Sequence, residues 1–241
     1  MKKLYFLLFI PFIISCNEYE FHMSTAFVSG YYQMEHIELV ESNNLLFIYG
    51  EGIKDYASLI DDDSRLFESL ARKHKDISYN KKIAYLDGKY LMDPNPYCLK
   101  DDFTAIHVTS DADYDESHPA GSSLDDVVVF HSSSPYPYIE SGYTCTYDWG
   151  EVRDILPWPD STFNHDYIDT EEWSHYIRKN VMDLCPSDLT LLGGYLWRGE
   201  PSLGILEFAS KPTLEKCHTI HVELINDEGK AYRSMIEMEF H

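Results

Sequence analysis

Basic residues are scarce in this chain of 241 residues. It has 19 Lys and Arg against 41 Asp and Glu, which gives a formal net charge of −22. Nucleic-acid binding needs clustered positive side chains that neutralise phosphates, so the sequence predicts no nucleic-acid partner. An anionic bilayer surface would repel the folded body for the same reason.

Several catalytic motifs are also missing. The chain has no G-x-S-x-G, no P-loop, no G-x-G-x-x-G and no H-E-x-x-H. Their absence argues against the hydrolases, nucleotide enzymes and zinc proteases that carry them, and we expect no cofactor. A carbohydrate-active hydrolase stays open, because it needs only two facing carboxylates about 5 to 9 Å apart and the acidic residues are too many to nominate a pair.

The amino terminus has a short basic start followed by an apolar run. Lys2 and Lys3 precede the uncharged stretch 4–14, which is shorter than the roughly 20 residues of a membrane-spanning helix. This pattern is typical of a signal peptide, predicted here over residues 1–15. Ile13-Ile14-Ser15-Cys16 resembles the bacterial lipobox, and the resemblance implies cleavage before Cys16 and attachment of lipid, palmitate included, to that residue.

The residues after Cys16 bear on localisation. Asn17 stands where Asp would favour inner-membrane retention in enteric bacteria, so the resemblance implies an outer-membrane lipoprotein. Glu18 and Glu20 fit the acidic stretch used for surface display. Periplasmic and outward-facing orientations both stay open.

Besides Cys16, four cysteines are present at wide spacing and without a C-x-x-C pair. Outside the cytoplasm an even number permits two disulfides with three connectivities. The chain is also long enough to fold without cross-links, so free thiols stay open. The residues concerned are Cys98, Cys145, Cys185 and Cys217.

Short alternating segments with turn residues between them dominate the chain. Clear examples are a hairpin around Asn43-Asn44, the strand 103–109 and the terminal hairpin 219–240, whose turn contains Gly229. We therefore expect a mainly β fold: a β-sandwich, immunoglobulin-like or related, with one or two added helices. Residues 16–30 are predicted to be a tether, followed by a single domain over 31–241.

Two segments predict helices. Between residues 60 and 78, Leu66, Phe67 and Leu70 share one helical face. The stronger pattern begins at Asp169, with Thr170 as the cap, and ends at Pro186. Its shared apolar face consists of Trp173, Tyr176, Ile177, Val181 and Leu184.

Two stretches carry a family resemblance. One is Ser110-Asp111-Ala112-Asp113-Tyr114-Asp115 followed by His118-Pro119-Ala120-Gly121-Ser122-Ser123-Leu124, and the other is His218-Thr219-Ile220-His221-Val222-Glu223-Leu224 with its Asp-Glu-Gly-Lys turn. Together they resemble lipoproteins of Bacteroidetes that are known only as a domain of unknown function. The resemblance implies an envelope location and a one-domain fold; it implies no activity and no catalytic residues.

Asp111, Asp113 and Asp115 alternate along a loop, a spacing that lets oxygens converge on calcium. The EF-hand pattern fails, because Glu116 occupies the glycine position and Ser122 occupies the position of the bidentate Glu. These three residues are weak calcium candidates, and a solvated acidic turn is the simpler interpretation.

Aromatic residues are concentrated between Tyr136 and Tyr176. Ten of these 41 residues are aromatic, a larger share than the 15% of the whole chain. Exposed rings could stack on sugars, with Trp149, Trp158 and Trp173 as the candidate contacts. Packing in the core explains the same residues without any ligand.

From these patterns we expect a lipid-anchored envelope protein without catalytic activity that binds a glycan or another envelope protein. The alternatives are a carbohydrate-active hydrolase with an Asp/Glu pair and a purely structural envelope component. A cleft with two facing carboxylates would favour the hydrolase, a row of exposed aromatics the glycan binder, and a large apolar patch a protein partner.

Overall fold

The computed structural model describes residues 19–59, 64–86, 89–90, 96–148, 174–192 and 202–241. Cys16, the signal segment and the three candidate tryptophans lie outside the described residues. No described helix is long and apolar enough to cross a membrane.

Two antiparallel sheets carry most of the fold. The larger sheet consists of β3 (His36–Ser42), β4 (Leu45–Glu51), β10 (Val128–Ser134), β11 (His175–Asn180) and β12 (Ser202–Phe208). The smaller consists of β9 (Phe103–Ser110), β13 (Cys217–Asn226) and β14 (Ala231–Glu239). The strand order is β11-β10-β12-β4-β3 in the larger sheet and β14-β13-β9 in the smaller.

One apolar core is shared by the two sheets. Along β3, Ile37 and Leu39 are buried while their sequence neighbours are exposed, and along β13 the even-numbered positions are buried. These side chains belong to one buried cluster with residues of β4, β9, β10 and β12. Alternation with a period of two therefore turns one face of each sheet inward, and the fold is the predicted β-sandwich.

The remaining described elements are smaller, and some of them bury a second core. They are β1 (Tyr19–Ser24), β6 (Lys81–Leu86) and β7 (Lys89–Tyr90) in one sheet, and β2 (Gly30–Gln33), β5 (Lys54–Ser58) and β8 (Tyr97–Leu99) in another. Helix α1 (Ser64–Lys73) and helix α2 (Tyr136–Glu140) accompany them. Phe27, Tyr31, Phe67 and Ala71 are buried together there.

The predicted tether is wrong from residue 19 onward. Residues 19–24 form β1 and pair with β6, and Ala26, Phe27 and Val28 are buried. Asp76 explains why this segment enters the fold, because its buried carboxylate accepts hydrogen bonds from the Phe27 and Val28 amides at 2.6 and 2.9 Å.

The helix predicted to start at Asp169 is also wrong where it can be compared. Residues 175–180 form β11, which pairs antiparallel with β10, and Val181–Asp183 and Pro186–Leu189 are short 3-10 helices. Ile177 packs into the shared core from the strand. Ladder hydrogen bonds and this burial override the local helical pattern. Residues 169–173 lie outside the described residues.

Both predicted hairpins, the strand 103–109 and a helix between residues 60 and 78 are confirmed. Asn43 and Asn44 join β3 to β4 with φ values of 56° and 62°, the left-handed conformation that a tight hairpin turn requires. Gly229, with φ of 79°, lies in the turn between β13 and β14. Helix α1 buries Phe67, although Leu66 is exposed.

The four described cysteines form no disulfide. Cys98 is buried in the second core, whereas the other three described cysteines, Cys145, Cys185 and Cys217, are exposed, and none of the four is disulfide-bonded. Of the two alternatives that the sequence left open, the described structure therefore shows no disulfide rather than two.

Candidate binding face

The outward surface of the smaller sheet carries acidic, basic, hydroxyl and thiol side chains. Because even-numbered residues of β13 point into the core, Cys217, Thr219, His221 and Glu223 point away from it. On β14, exposed residues at odd positions include Arg233, Met235, Glu237 and Glu239. We call this surface the β9–β13–β14 face.

Strand register brings residues distant in sequence together on this face. Thr219 lies opposite Glu237, and Cys217 opposite Glu239. On the other side of β13, Glu223 lies opposite His107 of β9. Opposite residues of an antiparallel pair have Cβ atoms about 5 Å apart, so these side chains can contact one ligand together.

Two hollows lie on the face. The larger, of about 730 Å³, is lined by five carboxylates, and no Lys or Arg is among the described residues that line it. The smaller, of about 410 Å³, has a mixed lining that includes His107, His221, Glu223 and Arg233. The carboxylates of the larger hollow belong to Asp111, Asp113, Glu215, Glu237 and Glu239.

The loop 111–127, which joins β9 to β10, borders both hollows. Asp111 lines both of them, and its carboxylate accepts hydrogen bonds from the Thr219 amide and hydroxyl, each at 2.6 Å. These bonds lower the pKa of Asp111. The carboxylate is therefore held ionised against β13, where it can accept hydrogen bonds but cannot donate a proton.

Tyr114 attaches this loop to the core. Its ring is fully buried and contacts Phe240 and His218, with ring centroids 5.8 and 5.5 Å away. Its hydroxyl donates a hydrogen bond to the Ser210 carbonyl. The main chain of Tyr114 also accepts a bond from the Thr213 amide at 2.8 Å.

The three calcium candidates bind different parts of the protein. Asp111 binds Thr219, as described, whereas Asp113 accepts a bond from the Ala120 amide at 2.8 Å. Asp115 accepts one from the Ser117 amide, also at 2.8 Å. Within the described part of the chain, no three His, Cys, Asp or Glu side chains are grouped so that they could hold a metal ion. The carboxylates act here as acceptors that shape the loop.

A buried cluster on the larger sheet was not found from sequence. His131 is 2% exposed. Its Nδ1 lies 2.5 Å from the Tyr176 hydroxyl and its Nε2 lies 2.8 Å from a Glu207 oxygen. Burial lowers the pKa of His131 despite the opposing effect of Glu207. The three residues come from β10, β11 and β12, so only their pairing reveals the cluster.

The tryptophans predicted to contact glycan, Trp149, Trp158 and Trp173, lie in segment 149–173, outside the described residues. Their role stays a prediction.

We compared the chain with protein-family models, curated proteins and solved structures, and none of them matches.

Proposed function

We propose that this chain is a lipid-anchored protein of the bacterial cell envelope that binds a glycan through the β9–β13–β14 face without chemical conversion. The observation that carries the proposal is the larger hollow, an open depression lined by polar side chains on a sheet and on a loop bonded to it. Carboxylates accept hydrogen bonds from sugar hydroxyls, and hydroxyls and imidazoles can both donate to them and accept from them.

The charge of the face narrows the glycan class. Asp111 is held ionised by its bonds to Thr219. Glu237 and Glu239 lie on β14, across β13 from Asp111, and line the same hollow. A polyanionic polysaccharide would be repelled by these groups. The proposed ligand is therefore a neutral or amine-bearing glycan.

A protein partner is less well supported by this face. Specific protein interfaces have a desolvated apolar centre with aromatic or Arg anchors. Met235, at 66% exposure, is the one large hydrophobic on the described part of β9, β13 and β14 that is highly exposed. The described face thus offers polar groups rather than an apolar centre.

The binding test uses a chain that starts at Asn17 and a panel of neutral, amine-bearing and acidic polysaccharides in affinity gels. We expect retardation by a neutral or amine-bearing glycan and no new reducing ends. Glu237→Gln should weaken binding about tenfold, the effect of one charge-assisted hydrogen bond. The matched control is Glu38→Gln, which changes the same charge on an exposed position of β3 and should leave binding unchanged.

A carbohydrate-active hydrolase is the second candidate, favoured by the five carboxylates around one hollow. New reducing ends in the same samples, lost in Glu237→Gln or Glu239→Gln, would establish it and overturn the non-catalytic proposal. Retardation only by acidic polysaccharides would contradict the charge argument. The absence of both signals across the panel would reject glycan binding.

The anchor is tested separately. We expect a cell-grown chain to incorporate an alkyne-labelled fatty acid and to sediment with outer membranes, while Cys16→Ala abolishes both. Two or three acyl chains would hold the protein stably, whereas a single chain binds only marginally. Labelling that persists in Cys16→Ala would reject the lipobox assignment.

A further inference from the structure

The loop that borders the hollows contains a histidine with an unusual pair of partners. His118 Nδ1 lies 2.8 Å from Asp115 Oδ1, and its Nε2 lies 3.0 Å from Asp126 Oδ1. Asp115 and Asp126 lie on opposite sides of His118 in the chain, near the start and the end of the loop. The imidazole therefore joins two parts of the loop.

This geometry favours a charged ring. A neutral imidazole has one N–H and one lone pair, so one of its nitrogens would turn a lone pair toward an anionic oxygen. An imidazolium donates from both nitrogens and satisfies both carboxylates. Consistently, although partial burial alone would lower the pKa of His118, its bonds to Asp115 and Asp126 outweigh that effect and raise the pKa above 6.5.

No other described titratable group takes over this role. The nearest aromatic ring is that of Tyr114, edge-on with centroids 6.4 Å apart, and its pKa is raised by burial to about 12, so it stays neutral. His218 of β13 contacts the Tyr114 ring and bonds to Ser110 and the Glu215 carbonyl. Asp115 and Asp126 are thus the charged groups that bond to His118 in the described structure.

The joined segment includes residues of the hollows. Ala120 lines the larger hollow and Gly121 the smaller, and both follow His118 within the loop. The Gly121 amide donates to the Ser110 carbonyl at 2.7 Å. The segment between Asp115 and Asp126 therefore contributes to the walls of both hollows.

We propose that His118 is a pH-dependent clasp: its protonated ring bonds Asp115 and Asp126 and so holds the 111–127 loop together, and deprotonation of this one ring loosens the walls of the hollows. The clasp is complete below the ordinary His pKa and is lost as the pH rises through the raised pKa, because the bonded form is the protonated one. The consequence for ligand affinity rests on the proposed function; the clasp itself does not.

The test measures amide hydrogen exchange and histidine titration by NMR or mass spectrometry on the full-length chain, with no ligand added. Between about pH 6 and about pH 8.5, after correction for intrinsic exchange, protection of the Ser117, His118 and Gly121 amides should fall. The fall should be about tenfold for each unit by which folding raises the His118 pKa. Protection in β13 should be unchanged.

Two variants separate the clasp from a general loss of structure. His118→Gln should give low loop protection at both pH values, and Asp126→Asn should bring the titration of His118 down toward 6.5. The matched control is His36→Gln, at an exposed position of β3, which should behave as the wild type. Loop protection that is independent of pH, or unchanged in His118→Gln, would overturn the proposal.

If the clasp is confirmed while the polysaccharide panel is silent, only the proposed glycan binding fails. If a glycan binds but its affinity and the loop protection ignore His118, only the clasp fails.

Discussion

Replacing Tyr114 with alanine is the sharpest stability test of the loop. The ring is fully buried and contacts Phe208, His218 and Phe240, with centroids 5.5 to 6.2 Å away. Truncating a buried aromatic to alanine costs about 3–5 kcal/mol, and losing the hydroxyl bond to Ser210 adds about 1 kcal/mol. We expect Tyr114→Ala to lower the free energy of unfolding by about 4–6 kcal/mol, a large part of the 5–15 kcal/mol that holds a typical domain together.

Urea unfolding followed by circular dichroism measures this loss. With an m value of about 2–3 kcal/mol per molar, the midpoint should fall by roughly 2 M. Tyr114→Phe keeps the ring and removes the hydroxyl, so it should cost only about 1 kcal/mol. Met235→Ala, at an exposed position of the neighbouring sheet, should change stability by less than about 0.5 kcal/mol.

The reasoning fails if Tyr114→Ala shifts the midpoint by less than about 0.5 M at this m value. Such a result would mean that the loop is not held by the core, and the hollows would then have no fixed wall. If Tyr114→Phe costs as much as Tyr114→Ala, the hydroxyl rather than the packed ring would be the attachment.

Three further results are expected. A thiol reagent should modify the exposed Cys145, Cys185 and Cys217 in the native protein, and the buried Cys98 only on unfolding. Native disulfides found by mass spectrometry would contradict the structure. Asp76→Ala should cost about 3 kcal/mol or more in urea unfolding, because the amides of residues 27–28 lose a buried charged acceptor; a loss below about 1 kcal/mol would contradict this. Although burial alone would raise it, the bonds from His74 and Lys73 lower the pKa of Asp102 below 3.8. The stability difference between wild type and Asp102→Asn should therefore be full above that pH and shrink as the pH falls through the lowered pKa, whereas a difference independent of pH would exclude a role for that charge.

Local patterns predicted the parts of the fold that local physics decides. The turn at Asn43-Asn44 and the turn containing Gly229 were predictable, because few residues adopt a positive φ without strain and both lie between alternating segments. The strand 103–109 was predictable for a related reason, since a period of two suits a half-buried sheet.

Longer-range pairing explains what the sequence could not predict. The segment around Ile177 has apolar residues at helical spacing, yet it forms a strand because β10 offers it ladder bonds and the shared core accepts Ile177. The prediction of a tether was wrong for a similar reason, because Asp76 lies far along the chain from the amides of residues 27–28 that it binds. Neither partner is visible in a local window.

The candidate face combines both situations. The acidic loop was recognisable from sequence, and it does lie beside the hollows. The direction of each carboxylate was not, because Asp111 binds Thr219 more than a hundred residues away. Glu237 and Glu239 gained meaning only from the register of β14 against β13.

The chemistry of the larger hollow separates binding from hydrolysis. A glycosidase of the two-carboxylate type needs one acid that stays protonated to protonate the leaving oxygen. Asp111, which lines both hollows, has the opposite property, because two hydrogen bonds from Thr219 stabilise its ionised form. An acceptor held in place on a sheet suits recognition of sugar hydroxyls, so the hydrolase alternative would have to find its proton donor in another carboxyl group of the hollow. A hydrolysis rate that depends on one protonated Glu would identify that donor. If no such hydrolysis is found, the hollow is left as a binding site.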